Sequence, residues 1–172
     1  MKLTAKVIYP LIHNWVQHRP MTTCVPEFTI HGVRMDAFGF LAYEPWTMRG
    51  FEIKVTRSDF LSDKKWQLYL SYVDYFAFVS PEGVVNPNEL PPEIGLYHVV
   101  FNSQYNRHEL KVVKKCKRLK NTGRDEMAHR LKVSSLIIRN KMQRAVFFDD
   151  KYSIFQNPLD GYSPVESQPW KE

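Results

Sequence analysis

Two cysteines in 172 residues, Cys24 and Cys116, are too few and too far apart for a disulfide-stapled scaffold or a cysteine zinc finger, and reduced thiols are the expectation. Seven glycines are spread singly, so there is no glycine-rich phosphate loop, and no nucleophile elbow is present. The six histidines (His13, His18, His31, His98, His108 and His129) show no metal-ligand spacing; His98 alone stands in an apolar, strand-like run. No apolar run approaches a membrane span, and the amphipathic N-terminal segment is too short in apolar residues for a signal-peptide core. The expectation is a cytoplasmic protein with no membrane partner. No internal repeat is visible.

What is present is a basic, aromatic-rich chain. Lys and Arg number 24 against 18 Asp and Glu, a net charge of +6, and 14% of the residues are aromatic within a 44% hydrophobic total. The length and composition predict one domain over residues 1–156, with a proline-bearing tail over 157–172 lying extended or mobile. The cationic surplus favours a polyanionic partner. Much of it crowds into one segment free of acidic residues: Lys111, Lys114, Lys115, Lys117, Arg118, Lys120 and Arg124. Such a stretch is either a solvated turn or a phosphate-binding surface.

Periodicity predicts an α/β fold. Residues 3–19 place Leu3, Val7, Ile8, Leu11, Ile12, Trp15 and Val16 on one helical stripe, interrupted by Pro10. Strands are predicted at 28–30, 33–43 and 51–56, with turns at His31-Gly32 and over 44–50. A helix over 59–72, opened by Ser58-Asp59, offers Phe60, Leu61, Leu68, Tyr69 and Tyr72 as its packing face. A buried strand over 75–80, a loop over 86–92, a strand over 94–101 and a long helix over about 124–147 complete the pattern.

The chemistry-bearing feature is Phe51-Glu52-Ile53-Lys54-Val55. Alternate residues of a strand share a face, so Glu52 and Lys54 project together while Phe51, Ile53 and Val55 pack behind them. Taken alone, this is also the pattern of a solvated strand face. A meander that sets Asp36 beside Glu52 would converge two carboxylates and an ammonium, enough to hold a divalent metal and position a water for phosphodiester hydrolysis. In the helix that follows, Asp63, Lys65 and Gln67 are within reach of such a cleft, with Lys65 and Gln67 read as surface residues.

Asp36 followed by Glu52-Ile53-Lys54 and a helix resembles the PD-(D/E)XK nuclease superfamily. The continuation through Val55-Thr56-Arg57-Ser58-Asp59-Phe60-Leu61, Asp63, Lys65-Trp66, Tyr69, Tyr72, Asp74 and Phe76-Ala77-Phe78-Val79 is similar to the MmcB-like DNA-repair proteins of bacteria and phages, over residues 34–100. The resemblance implies a restriction-endonuclease-like core, a central mixed sheet flanked by helices. It implies Asp36, Glu52 and the Ile53 carbonyl as ligands of Mg²⁺, with Mn²⁺ able to substitute, and Lys54 as the residue that orients or activates the attacking water. Met35 stands where the naming proline would be, and residues 3–19 hold no Glu, so a fourth carboxylate and a second metal are not implied.

The expected function is therefore metal-dependent hydrolysis of DNA in repair or phage DNA metabolism, with DNA as partner, Lys111 to Lys120 on its backbone and a homodimer as one expected assembly. Lys54 would stabilise charge on the phosphate or, were burial to lower its pKa, take a proton from water. An inactive nucleic-acid-binding or scaffold protein with the same fold is the alternative class, and an RNA or small-molecule phosphodiesterase a third.

Overall fold

The computed structural model describes residues 3–18, 22–42, 46–120 and 125–147, with side chains as far as residue 141. The chain divides into two compact units, Met1–Ser134 and Ser135–Glu172. The described part of the second is helix; the expected tail over 157–172, like Arg124, lies outside the described residues. All that follows concerns the first unit.

Six strands, β1 (Thr22–Ile30), β2 (Val33–Leu41), β3 (Thr47–Ile53), β4 (Tyr75–Pro81), β5 (Gly95–Asn102) and β6 (Arg107–Lys114), form one sheet in sequence order. β1–β2–β3 is an antiparallel meander, β3–β4–β5 is parallel, and β6 returns antiparallel to β5. Helices α1 (Ala5–Gln17), α2 (Arg57–Ser62) and α3 (Glu126–Phe147), with 3-10 segments at Trp66–Tyr72 and Pro87–Glu89, complete the α/β architecture. Among the described residues, no helix is long and apolar enough to cross a membrane.

The stripe of α1 behaves as its periodicity predicts. Ile8, Ile12 and Val16 are buried against Ala37, Phe51, Ile53, Ala77, Val79, Tyr97 and Val99, while Pro10 is exposed within an unbroken helix. The opposite face of the sheet carries an aromatic layer. Trp66 packs on Phe76 and Phe78 at ring separations of 6.0 and 5.5 Å, Tyr69 lies 5.9 Å from Phe76, and Phe60 5.4 Å from Phe78. Gly50 permits this closeness: a Cβ there would meet Met35 Sδ and Phe76 Cδ2 at 2.9 Å.

The structure departs from the sequence reading where local signals compete. β1 begins at Thr22 rather than Phe28, because Pro26 costs little on an edge strand. β3 runs from Thr47, so most of the expected turn over 44–50 is strand, and it ends at Ile53 because Thr56 turns the chain into α2. β6, of which only residues 111–114 belong to the basic segment, is not among the predicted strands; as the other edge strand it buries no alternating face that would betray it.

The expected helix over 59–72 is broken at Asp63. Thr56, not Ser58-Asp59, caps α2, its Oγ1 accepting from the Asp59 N–H at 3.2 Å. Asp63 is extended, and its Oδ1 accepts from the Lys65 N–H at 2.7 Å, a local turn that competes with helix. The chain resumes as a 3-10 segment, whose three-residue turn puts Trp66, Tyr69 and Tyr72 along one edge and leaves Leu68 57% exposed. Leu61, also expected to pack, is 60% exposed.

Asp74 joins the starts of β3 and β4. Its Oδ2 accepts from the Met48 N–H and its own N–H donates to the Met48 carbonyl, both at 2.8 Å, while its carbonyl accepts from Leu119 N–H. Asp74→Ala leaves the buried Met48 donor without this acceptor and should lower unfolding free energy by about 1–3 kcal/mol. Urea denaturation with an unchanged slope and a lower midpoint is the expected result; an unchanged midpoint would show the contact to be dispensable.

Candidate active site

β3 delivers Glu52 and Lys54 to the carboxyl end of the parallel strands. The β2–β3 register pairs Ala37 with Phe51, so one step further brings Asp36 opposite Glu52. Asp36 Oδ2 accepts from the Ile53 N–H at 2.8 Å, and the Lys54 N–H donates to Val79 carbonyl at 2.9 Å, fixing the strand end from both neighbours. The expected convergence of Asp36, Glu52 and Lys54 is thus present.

Glu52 and Lys54 are both buried, at 7% and 5% exposure, so this is no solvated strand face. Lys54 Nζ lies 2.7 Å from Asp63 Oδ2, 3.2 Å from Glu52 Oε1 and 3.7 Å from Asp59 Oδ1. Asp59 and Asp63 had been read as a helix cap and a polar helix residue. The first turn of α2 brings Asp59 to Lys54 and the break of the helix at Asp63 brings Asp63 there, and no sequence spacing announces either. Lys65 and Gln67 are exposed, in line with their reading as surface residues.

Three carboxyl groups thus surround one ammonium, with Asp36 on the neighbouring strand, beside a wall of Phe60, Trp66, Tyr69 and Phe78. Burial, with the Asp36 charge adding to it, pushes Glu52 up to about 8. Asp36 is also raised, by burial, against the Ile53 hydrogen bond that opposes it. Burial pulls the Lys54 ammonium down, but its hydrogen bond to Asp63 and the charge of Glu52 outweigh it, and the net shift is upward. Lys54 is thus an ammonium held by its carboxylate partners.

Asp63 is lowered despite its burial, because Lys54 and the Lys65 N–H bond its carboxylate. Tyr69, read from sequence only as packing, belongs to the same environment. Burial first, then the charges of Glu52, Asp63 and Asp36, push its phenol up to about 12.

One atom is left over. Glu52 Oε2 is buried with no hydrogen-bond partner. A buried carboxylate oxygen in that state is costly unless it carries a proton or meets a cation. Among the described residues, no three or more His, Cys, Asp or Glu side chains gather closely enough to hold a metal ion. Two carboxylates and a carbonyl fit a cation that keeps most of its waters, as Mg²⁺ does, but not a tightly caged ion.

The basic segment lies elsewhere. The Lys117 N–H donates to Glu93 carbonyl and the Leu119 N–H to Asp74 carbonyl, at the amino ends of β4 and β5. A strand length, roughly 20 Å, separates these anchors from Lys54. Lys114, among the expected DNA contacts, has its Nζ donating to the carbonyls of Leu90, Pro91 and Pro87 at 2.7, 2.9 and 3.2 Å. Arg118 lies 3.8 Å from Asp74, and Lys111, Lys115, Lys117 and Lys120 are exposed. His98 is half-buried, 3.4 Å from Val85 carbonyl, in the lining of a cavity of about 410 Å³ with Arg57, Asn86 and Glu89; Arg57 and Glu89 there pair with each other.

Folded Glu52 keeps its proton up to about 8, whereas an unfolded Glu loses it near 4.5. Its contribution to stability is full below the lower value and is lost as pH rises through the upper one. In chelator, Glu52→Gln should match wild type near the lower pH and exceed it above the upper one by on the order of a few kcal/mol. Thermal or urea melts across that window check this; a constant difference between the two proteins would show Glu52 ionised throughout.

No family model matches the chain, and no curated protein does. Among solved structures it is similar to a SPO1766 protein of unknown function from Silicibacter pomeroyi, at 20% identity and a TM-score of 0.61, over 91% of this chain and 100% of that one. At that identity the likeness carries the α/β fold and no activity.

Proposed function

We propose that this chain is a metal-dependent nuclease of the PD-(D/E)XK type, MmcB-like, with a restriction-endonuclease-like core, hydrolysing DNA phosphodiester bonds in the cytoplasm, in repair or phage DNA metabolism. The observation that carries the proposal is the buried, unpartnered Glu52 Oε2 beside Asp36 and a buried ammonium. Asp36, Glu52 and the Ile53 carbonyl would hold Mg²⁺, or Mn²⁺ in its place. The ion, when bound, neutralises charge on the phosphate and makes water a better nucleophile at neutral pH.

The chain's own residues do the rest. Glu52 must give up its proton to accept a cation, so binding strengthens as pH rises toward the upper limit of its titration. Lys54 presents fixed positive charge to a phosphate oxygen, an electrostatic role that needs no proton transfer. The aromatic wall keeps water from the buried side of Glu52 and Lys54, where charge interactions are least screened. Asp36 ties β2 to β3 through the Ile53 N–H, so the carboxylate and the carbonyl assigned to the ion belong to one strand end.

Purified protein should cleave DNA with Mg²⁺ or Mn²⁺ and not with chelator, in a panel of linear, circular, single-stranded and double-stranded DNA and of RNA. Asp36→Ala and Glu52→Gln should abolish cleavage and weaken Mn²⁺ binding by calorimetry. Lys54→Met should lose about two or more orders of magnitude in rate while still binding the ion. Cleavage by Asp36→Ala at the wild-type rate would remove it from the site; DNA binding without cleavage under any metal would make this an inactive nucleic-acid-binding protein.

Lys111, Lys115, Lys117, Arg118 and Lys120 would contact DNA backbone away from the cleavage site. Reversing Lys115, Lys117 and Lys120 to Glu should weaken DNA binding and flatten its salt dependence by about 0.9 in log–log slope per lost phosphate contact. Lys114 is left out because its three donors hold backbone carbonyls, so its replacement would also disturb the fold. Binding equal to wild type at every salt concentration would reduce the segment to a solvated surface.

A further inference from the structure

We infer that Asp59 is a displaceable counter-ion that holds the place of a substrate phosphate oxygen on Lys54, while Asp63 is the fixed residue that aims the ammonium. The inference rests on Lys54 being the group that meets phosphate.

An ammonium has three N–H donors. Three carboxylates stand around this one, Asp63 Oδ2 at 2.7 Å, Glu52 Oε1 at 3.2 Å and Asp59 Oδ1 at 3.7 Å. Asp63 and Glu52 lie within hydrogen-bond distance, whereas Asp59 holds the ammonium by charge alone, and an arriving phosphate oxygen competes with all three. Glu52 has a side chain only 9% exposed, on a central strand paired on both sides, so it has little room to turn away. Asp63 is only 10% exposed, makes the shortest contact, and has its other oxygen bonded to the Lys65 N–H at 2.7 Å.

Asp59 differs in every one of these respects. It stands on the first turn of α2, its side chain is 47% exposed, and it makes the longest contact. Its backbone is occupied, the N–H with Thr56 Oγ1 and the carbonyl with the Ser62 hydroxyl, so α2 keeps its place when the carboxylate swings out. With one partner half-exposed and the contact long, solvent screens this pair more than the buried ones with Asp63 and Glu52, so it is the first to yield to a phosphate. The consequence is a tax on every anion that approaches Lys54: a ligand with enough other contacts, such as a nucleic-acid backbone, outcompetes Asp59 where a small anion does so poorly.

The test reads binding at Lys54 without requiring catalysis. In chelator, the Lys54 side-chain NMR signal is titrated with inorganic phosphate and with duplex DNA, for wild type, Asp59→Asn, Asp63→Asn and Glu82→Gln, the last an exposed turn residue serving as a control for net charge. Asp59→Asn should bind both probes about two- to fivefold more tightly, the scale of losing one solvent-screened competitor. Asp63→Asn should lose cleavage rate with little change in KM, and Asp63→Glu should recover part of it. The gain at Asp59 must vanish when DNA affinity is compared in a Lys54→Met background. An equal gain from Glu82→Gln, a gain that persists without Lys54, or a Lys54 signal that neither probe moves overturns the inference. A signal that responds as expected in a protein that cleaves nothing overturns the nuclease proposal alone.

Discussion

The constraint on which the site depends is the solvation of one buried ammonium. Lys54 leaves β3 at a point where strand pairing, α1 on one face and aromatic rings on the other exclude most water. Its charge could be kept there only by bringing carboxylates to it. Asp63 and Glu52 do so within 3.2 Å. That requirement reaches back into the chain's path: Asp63 must face inward, the helix that began at Arg57 stops, and a 3-10 segment with a different side-chain period takes over.

The 3-10 segment in turn creates the electrostatics of Glu52. With three residues per turn, Trp66 and Tyr69 fall over Phe76 and Phe78, and Phe78 is the residue that pairs with Glu52 across β3 and β4. The apolar layer strips solvent from the carboxyl, and Asp36 opposes its ionisation from the other side. Lys54 cannot reverse this, because its charge is shared with Asp63 and Asp59. A carboxyl raised to about 8 thus arises from packing and from unequal sharing of one positive charge.

Sheet topology decides what lies near this centre. β3 pairs antiparallel with β2 and parallel with β4, so Asp36 and the β3 carboxyl end meet, while Met48, Asp74 and the residues from Lys115 to Lys120 gather at the other end. The basic segment and the carboxylate cluster are therefore separate surfaces of one sheet.

The sequence by itself determined the α/β class, the amphipathic stripe of α1, the buried β4 and the convergence of Asp36, Glu52 and Lys54, because each is written in short-range periodicity or in adjacent strands of a meander. It left β1 and β6 poorly marked, since edge strands need no buried alternation, and it read residues 59–72 as one helix, since a period of 3.6 accommodates Phe60, Leu61, Leu68 and Tyr69 equally well. Only the tertiary structure decided that Asp59 and Asp63 surround Lys54, that Lys114 serves three backbone carbonyls and that Glu52 keeps an unpartnered oxygen. These are properties of charges placed in a low-dielectric interior by chain segments distant from one another, and local spacing carries no record of them.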